Sequence, residues 1–515
     1  PFALFQYLLE KEEYQDYTHI WVLDDFDDNR AQIEKYEKYP NVRFVKYKTK
    51  EYCKAIATVK YLVNNVSFPS YFLKREGQVL IDTWHGTPLK NMGFDIPGAN
   101  ISQGNTARNL FSADYIVSSG SYMTETAYKK SYKMQNLYEG TVLEEGFPRN
   151  DKLFNSDRAE VIQRLQDCGV EVTADKKVIL YAPTWRGEQY STPDTDLQDV
   201  YKLLQVMESS VDTNEYQVLV KLHQIVYHYM KENQIELGTA KAKFVPATMD
   251  TSELLSVTDV LVSDYSSIFY DFMLTGKPIF FYVPDMEDFE DYRGLYFGFD
   301  NLPGPAVSSP EKLGELLKDI QDVADSYKEK YENVKAQIGL KDDGNVCKRI
   351  AEVLIDGKEP TNPVFLNQTD KVKLLVYAGD FNETQETDTF YEFLKKVDFE
   401  HFDITLIGNG AKEEESSEKL DELPKEVRVL YWKRSYPATD EEYVRHNKFM
   451  KSKKTEPSEA LKDFYKRELR RILGMSKFDY AVVFTDMKKF FPVMSGALDV
   501  KQIFNMDNWQ EVLNK

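Results

Sequence analysis

The chain has 515 residues, too many for one ordinary domain and enough for two or three. Hydrophobic residues make up 42% and aromatic residues 14%, which supplies packed cores and excludes a disordered chain. A formal net charge of −20 excludes a protein that coats nucleic acid or holds to membranes through a large basic face, while leaving room for a local basic groove.

The three cysteines, Cys53, Cys168 and Cys347, are far apart and odd in number. They indicate a reduced, cytoplasmic compartment and offer no zinc spacing. No stretch approaches the ~20 apolar residues of a membrane helix, and no signal peptide is visible. The chain opens with Pro1 inside a helical pattern, "FALFQYLLEKEEY", so the natural N-terminus is expected upstream.

In chain order, "HIWVLDD" (19–25), "VRFVKYK" (42–48), "QVLIDTW" (78–84) and "ADYIVSSGS" (113–121) read as strands. Amphipathic stretches such as "CKAIATVKYLVNN" (53–65) separate them. Alternation of this kind predicts a parallel sheet with helices on both faces. "EEGFPRND" (144–151) interrupts it with Gly and Pro and reads as a hinge. A second block follows, with strands at "KKVILYAPTW" (176–185), "YQVLVKLH" (216–223), "AKFVPA" (242–247), "TDVLVSDYSS" (258–267) and "KPIFFYVPD" (277–285). Several are continuous apolar runs, as expected of strands buried on both faces. A charged helical segment (309–339) closes the block.

Residues 356–370, "DGKEPTNPVFLNQTD", read as a linker. A third α/β unit restarts at "KVKLLVYAGD" (371–380) and continues through "FDITLIGNG" (402–410), "VRVLYW" (427–432), "FDYAVVFTD" (478–486) and "VKQIFNMDN" (500–508). Residues 440–475, dense in Lys, Arg and Glu, read as a solvated helix with i,i+4 pairs. The expected boundaries are 1–150, 151–355, a linker at 356–370, and 371–515.

In open parallel sheets, ligands bind at the carboxyl ends of strands. The unusual residues collect there: His85 after "VLIDTW", Ser118 and Ser119 after "DYIV", Thr184 and Arg186 after "VILYAP", Lys221 and His223 ending "QVLVKLH", and Asp264, Ser266 and Ser267 after "DVLVS". Ser266 or Ser267 would open a helix, where free N–H groups and the helix dipole favour a phosphate; a plain Ser N-cap is the alternative. "YRGLYFGFDNLPGP" (292–305) adds a Gly-rich loop and Arg293.

Among six histidines, His85 and His223 each end a strand, in different blocks. Two stacked blocks would bring them face to face across a cleft. Neutral imidazoles suit proton removal from an alcohol or hydrogen bonding to a phosphate. In the Trp-His-Gly-Thr-Pro frame, Gly86 is expected to permit a tight turn and Pro88 to stiffen the exit. The chain carries no HxxxH pair and no Cys/His cluster, so no metal site is expected. Lys90, Arg149, Arg186 and Lys221 are expected to line the cleft. "NMGFDIPGANIS" (91–102) reads either as a loop whose Phe94 and Ile96 touch lipid or as an ordinary packed loop.

Taken together, "DTWHGTPLKNMG", "YAPTWRG", "VKLH", "SDYSSIFYDFMLTGKPIFFYVPD" and "RGLYFGFDNLPGP", in that order, resemble the CDP-glycerol glycerophosphotransferase family of teichoic-acid primases and polymerases, over residues 1–355. The resemblance implies a GT-B fold, with two Rossmann-like domains facing across a cleft. Here a third, C-terminal Rossmann-like α/β domain follows. It implies His85 as the general base, with Gly86, Thr87 and Lys90 on the acceptor side. His223, Thr184, Arg186, Lys221, Asp264, Ser266, Ser267 and Arg293 then fall on the donor-phosphate side. Gln224 departs from the pattern, which carries Pro after this histidine in many relatives.

The activity implied is transfer of glycerol phosphate from CDP-glycerol to a hydroxyl of a lipid-linked teichoic-acid-like or capsular polymer, releasing CMP. No cofactor, metal or nucleic acid is implied, and the enzyme would be cytoplasmic, peripheral at the inner leaflet of the cell membrane. A ribitol-phosphate transferase, a nucleotide-sugar glycosyltransferase and a non-catalytic scaffold are the alternatives. Residues 371–515 resemble the opening of a GT-B glycosyltransferase N-terminal domain whose other half is absent; either this half domain is truncated or it is a degenerate adaptor, and no site is expected in it.

Overall fold

A computed structural model describes residues 1–96, 100–185, 197–235, 243–286, 294–298, 301–379, 385–409, 420, 422–432, 437–452, 456–485 and 490–515. The strands are almost all parallel and fall into four sheets. The first two, β1 (His19–Leu23) and β2 (Val42–Lys46), pair only with each other among the described residues. They do not join the next sheet as the alternation predicts. Their side chains are only partly buried and rest on a small aromatic cluster of their own around Phe5, Trp21 and Tyr36.

The second sheet has the order β12-β6-β5-β4-β3. It contains β3 (Tyr61–Asn64), β4 (Val79–Asp82), β5 (Tyr115–Ser118) and β6 (Thr141–Glu144). β3 lies inside a stretch that reads as one helix. The helix Lys50–Thr58 stops at Val59, whose ψ is 149°, and the β-branched and aromatic run beyond it becomes strand. Pro363–Val364, within the expected linker, pairs antiparallel with β6 as β12. Helix Val346–Leu354 returns to this core through Val346, Ile350 and Leu354.

The third sheet runs β11-β10-β9-β7-β8. It comprises β7 (Lys177–Ala182), β8 (Tyr216–Val220), β9 (Val260–Ser263), β10 (Ile279–Tyr282) and β11 (Ala306–Val307). A parallel bridge from Val220 to Phe244 extends the β8 edge, which completes the strand order of a dinucleotide-binding sheet. Register aligns the strand ends that matter. Tyr181 pairs with Val220, and Ala182 with Ser263, so the segments after β7, β8 and β9 emerge side by side.

The last sheet, β15-β14-β13-β16-β17, has the order 3-2-1-4-5, five of the six strands of the doubly wound order. Its strands are β13 (Val372–Tyr377), β14 (Phe402–Asn409), β15 (Arg428–Trp432), β16 (Tyr480–Val483) and β17 (Gln502–Asn505). This unit is not tethered loosely. One apolar core runs from Leu110 and Phe111 of the first unit into Tyr377, Trp432, Leu469 and Ile472 of the third. A side chain at Gly104 would meet the Tyr431 ring at 2.6 Å, so the helix Asn100–Ser112 lies flush on β15.

The charged region 440–475 is the clearest departure from expectation. It forms two helices, Asp440–Met450 and Glu459–Leu473, and the second is buried along one face. Glu468 and Arg471 are 2% and 1% exposed and pair with each other at 2.5 Å. Glu468 also accepts from Trp432 Nε1 at 3.0 Å, and Arg471 donates to the Ser70 carbonyl of the first unit at 2.5 Å. Charge spacing alone does not reveal which face of such a helix is covered.

Candidate active site

The site forms where the carboxyl ends of β4 and β5 face those of β7, β8 and β9. β4 ends in Asp82-Thr83-Trp84-His85. The Asp82 carboxylate accepts the Trp84 backbone N–H at 2.8 Å, and Trp84 takes a left-handed φ of 50°. That conformation is strained for a bulky residue, and burial of the indole against Tyr128 and Tyr132 holds it there. Burial also pushes the Asp82 carboxyl up to about 7, against the opposing effect of the Trp84 N–H. The tight turn therefore falls at Trp84 and not at Gly86, the expected position.

Gly86 has a different use. A Cβ there would stand 3.1 Å from Ser267 Oγ and 4.0 Å from an Arg149 nitrogen. The Trp-His-Gly turn of the first unit thus lies directly against the Asp-Tyr-Ser-Ser turn of the second.

His85 stacks on Trp84, with ring centroids 4.4 Å apart, and its Nδ1 lies 3.1 Å from the Asn65 carbonyl. A carbonyl only accepts, so Nδ1 carries the proton and Nε2 keeps its lone pair. His85 is exposed to solvent, with the Trp84 indole covering one ring face and the surrounding protein displacing part of its water. That loss of hydration lowers its pKa, the Asn65 carbonyl opposes the shift, and the Arg149 charge adds to it.

His223 has the opposite arrangement. It caps the helix Gln224–Glu232, with Nδ1 accepting the Ile225 N–H at 3.3 Å. Its proton is therefore on Nε2. Burial lowers its pKa, the Lys90 charge lowers it further, and Asp264 opposes. Lys90 comes from the first unit, so those two charges face this histidine from opposite walls.

Asp264 is 2% exposed, and its carboxylate accepts Thr184 N at 2.9 Å and Thr184 Oγ1 at 3.0 Å. It ties the segment after β7 to the one after β9. Ser266 Oγ accepts the Ile268 N–H at 3.4 Å, and Ser267 precedes the short helix Ile268–Phe272. Arg149 is held in two-pronged fashion by Asp271, at 2.9 and 3.1 Å, over the Phe147 ring. Asn150 bridges Asp271 to Asp342, both at 3.0 Å. The Arg149–Asp271 pairing joins residues 122 apart in sequence, and nothing local announces it.

Two of the expected ligand residues are used internally. Lys221 is 7% exposed, and its ammonium donates to the carbonyls of Pro246 (2.5 Å) and Met249 (3.1 Å). Burial pushes its pKa down to about 8. Thr87 is 2% exposed and its hydroxyl bonds Ser119 Oγ at 2.8 Å. Both side chains brace the walls. Arg186 and Arg293 lie outside the described residues.

The walls are clamped together beyond the site. Lys90 pairs with Leu295, Asn91 N donates to the Gly294 carbonyl at 3.1 Å, and Tyr270 donates to the Pro88 carbonyl, which also accepts from Tyr122 of its own unit. Phe94 packs on Tyr132, and Asp95 accepts from Tyr296 Oη at 2.5 Å, so the start of loop 91–102 is packed. Residues 97–99 of that loop lie outside the described residues. Among the described residues, no group of three or more His, Cys, Asp or Glu is placed to hold a metal ion, and no helix is long and apolar enough to cross a membrane.

A family model described as CDP-glycerol:poly(glycerophosphate) glycerophosphotransferase matches residues 1–356. A teichoic acid poly(glycerol phosphate) polymerase of Bacillus spizizenii is 30% identical over 373 residues, covering 69% of this chain and 88% of that relative. One of the same name from Bacillus subtilis is 32% identical over 336 residues, covering 62% of this chain and 42% of that relative's length. Among solved structures, a histidine-to-asparagine variant of the wall teichoic acid polymerase TagF, soaked with CDPG, superimposes with a TM-score of 0.55 at 28% identity. That match covers 69% of this chain and 84% of the other.

Proposed function

The chain belongs to the CDP-glycerol:poly(glycerophosphate) glycerophosphotransferase family, and we propose that its cleft moves glycerol phosphate from CDP-glycerol to a hydroxyl of a teichoic-acid polymer, releasing CMP. The observation that carries this reading is the opposed hydrogen bonding of the two strand-end histidines, Nδ1 of one facing a carbonyl and Nδ1 of the other a backbone N–H. His85 offers a lone pair at Nε2, and His223 offers a proton at Nε2.

His85 Nε2 takes the proton of the acceptor hydroxyl. The oxygen attacks the glycerol-bearing phosphorus, the bond from that phosphorus to the bridging oxygen breaks, and CMP leaves with the electron pair. His223 Nε2–H donates to the diphosphate and the Lys90 charge offsets part of what develops on its oxygens, while Arg149, already paired with Asp271, adds hydrogen-bond donors. The Ser266 and Ser267 hydroxyls supply further donors, while Asp264 positions Thr184. The depressed pKa of His85 keeps it neutral near pH 7, as a base requires. These groups replace a metal in the reaction. The acceptor is lipid-linked, and the enzyme works at the cytoplasmic face of the membrane. The relatives named for glycerol phosphate favour it over ribitol phosphate or a sugar nucleotide, and a scaffold has no use for the histidine pair.

The test is CMP release from CDP-glycerol with a lipid-linked acceptor analogue and EDTA present, for wild type and His85→Asn. The variant is expected to lose about 10²–10⁴-fold in rate, the usual size of a general-base effect, while still binding CDP-glycerol. Wild-type turnover abolished by EDTA, or a variant within threefold of wild type, refutes the mechanism.

A further inference from the structure

We propose that the seam between the first and third units is a binding groove for the phosphodiester chain of the acceptor polymer, leading away from the catalytic cleft. The proposal rests on the acceptor assigned above and adds a site that the family match does not contain. That match ends at residue 356, whereas one wall of the groove comes from beyond it.

The groove encloses about 770 Å³. Asn91 and Tyr296 are among its lining residues, and they belong to the strip where Asn91 N meets the Gly294 carbonyl, directly after Lys90. It therefore borders the acceptor side of the cleft. Six cations line it against three carboxylates, in a chain whose net charge is −20. Arg428 and Asp403 cancel as an ion pair at 2.7 Å, and Lys129 is paired with Glu125. Asp95, held by the neutral Tyr296 hydroxyl, and Glu426 have no such ion pair among the described residues, so four lysines remain against two carboxylates.

The lysines are placed differently. Lys133 donates to the Val427 carbonyl at 2.9 Å and Lys371 to the Phe399 carbonyl at 2.7 Å. A neutral carbonyl orients an ammonium without cancelling its charge. Lys130 and Lys425 are exposed on opposite walls. The rings of Phe94 and Phe399 add apolar lining, with Lys133 Nζ 5.9 Å from the Phe94 centroid. A polymer that alternates anionic phosphodiesters with short carbon backbones matches both features. Local positive potential in an otherwise acidic protein also concentrates a polyanion where it is needed.

The rigidity of the seam supports the same assignment. Asn136 bonds Asp403 at 3.0 Å, the Arg428 guanidinium donates to the Lys133 and Gln135 carbonyls, and the apolar core is continuous beneath. Both walls are thus held in register, as a preformed site requires.

The experiment uses the full chain and synthetic glycerol-phosphate oligomers of about two and about ten repeats, with binding followed by calorimetry at about 50 and about 200 mM salt. Wild type is expected to bind the long oligomer about tenfold more tightly than the short one, with the difference shrinking at high salt. In Lys130→Glu/Lys425→Glu, which alters only exposed side chains, that advantage is expected to disappear, while transfer to the short acceptor stays within twofold of wild type.

A double variant that keeps the length advantage overturns the proposal. So does a wild type without one, even when transfer proceeds. A variant that loses binding to phosphatidylglycerol vesicles but not to the long oligomer assigns the groove to a membrane surface and refutes the polymer. Length-dependent binding without any CMP release leaves the groove standing and refutes the reaction assigned to the cleft.

Discussion

Replacing Glu468 by Ala tests what holds the third unit in place. The glutamate is 2% exposed and holds three donors: Arg471 Nε at 2.7 Å, Arg471 Nη2 at 2.5 Å and Trp432 Nε1 at 3.0 Å. Without it, Arg471 loses the carboxylate that holds it from two nitrogens, while its bond to the Ser70 carbonyl remains. Arg108, whose guanidinium donates to the Arg471 carbonyl at 3.2 Å, then loses the nearby carboxylate that offsets the Arg471 charge. Breaking a buried ion pair from one side costs about 3–5 kcal/mol, most of it the penalty of the stranded charge. Removing both ends with residues of similar volume is often neutral or stabilising.

Glu468→Ala is therefore expected to lower the local opening free energy by about 3–5 kcal/mol. Glu468→Met/Arg471→Met is expected to recover most of that loss. Native-state hydrogen exchange over the helices Glu459–Leu473 and Asn100–Ser112 reads this directly, without assuming two-state unfolding of a multi-unit chain. A loss below about 1 kcal/mol, or a double variant as weak as the single one, refutes a desolvated ion pair at the seam.

Two further outcomes bear on the cleft. The histidine at position 85 must be neutral to accept a proton, and its pKa is depressed, so the acid limb of the rate profile is expected below the ordinary imidazole value of about 6.5. Arg149→Gln removes one depressing charge and should move that limb upward; a limb that stays put denies the coupling. Asp264→Ala leaves the Thr184 N–H and hydroxyl without their shared acceptor, a defect of about 1–3 kcal/mol. Calorimetry should then show CDP-glycerol binding at least about tenfold weaker. Affinity within twofold of wild type would remove Asp264 from any role in shaping the donor side.

Much of the architecture is legible from residue order alone. Apolar runs such as Val178–Ala182 and Val260–Ser263 that halt at small polar residues announce buried parallel strands, because alternation and turn chemistry are local. The same locality places His85 and His223 at strand ends. Which nitrogen of each ring holds the proton is a different kind of fact. It depends on the Asn65 carbonyl for one, and on a helix N-terminus for the other.

Lys221 and Thr87 look like ligands in the chain, and their use as braces follows from partners many residues away, Pro246, Met249 and Ser119. The helix Glu459–Leu473 makes the same point. Its charges have the spacing of a solvated surface, yet Glu468 and Arg471 are sealed against Ser70 and Trp432. Residue order dictates secondary structure and the ends of strands because those depend on neighbours in the chain. Partner choice, protonation and burial of charge depend on atoms brought together by packing, and only the folded arrangement of the three units decides them.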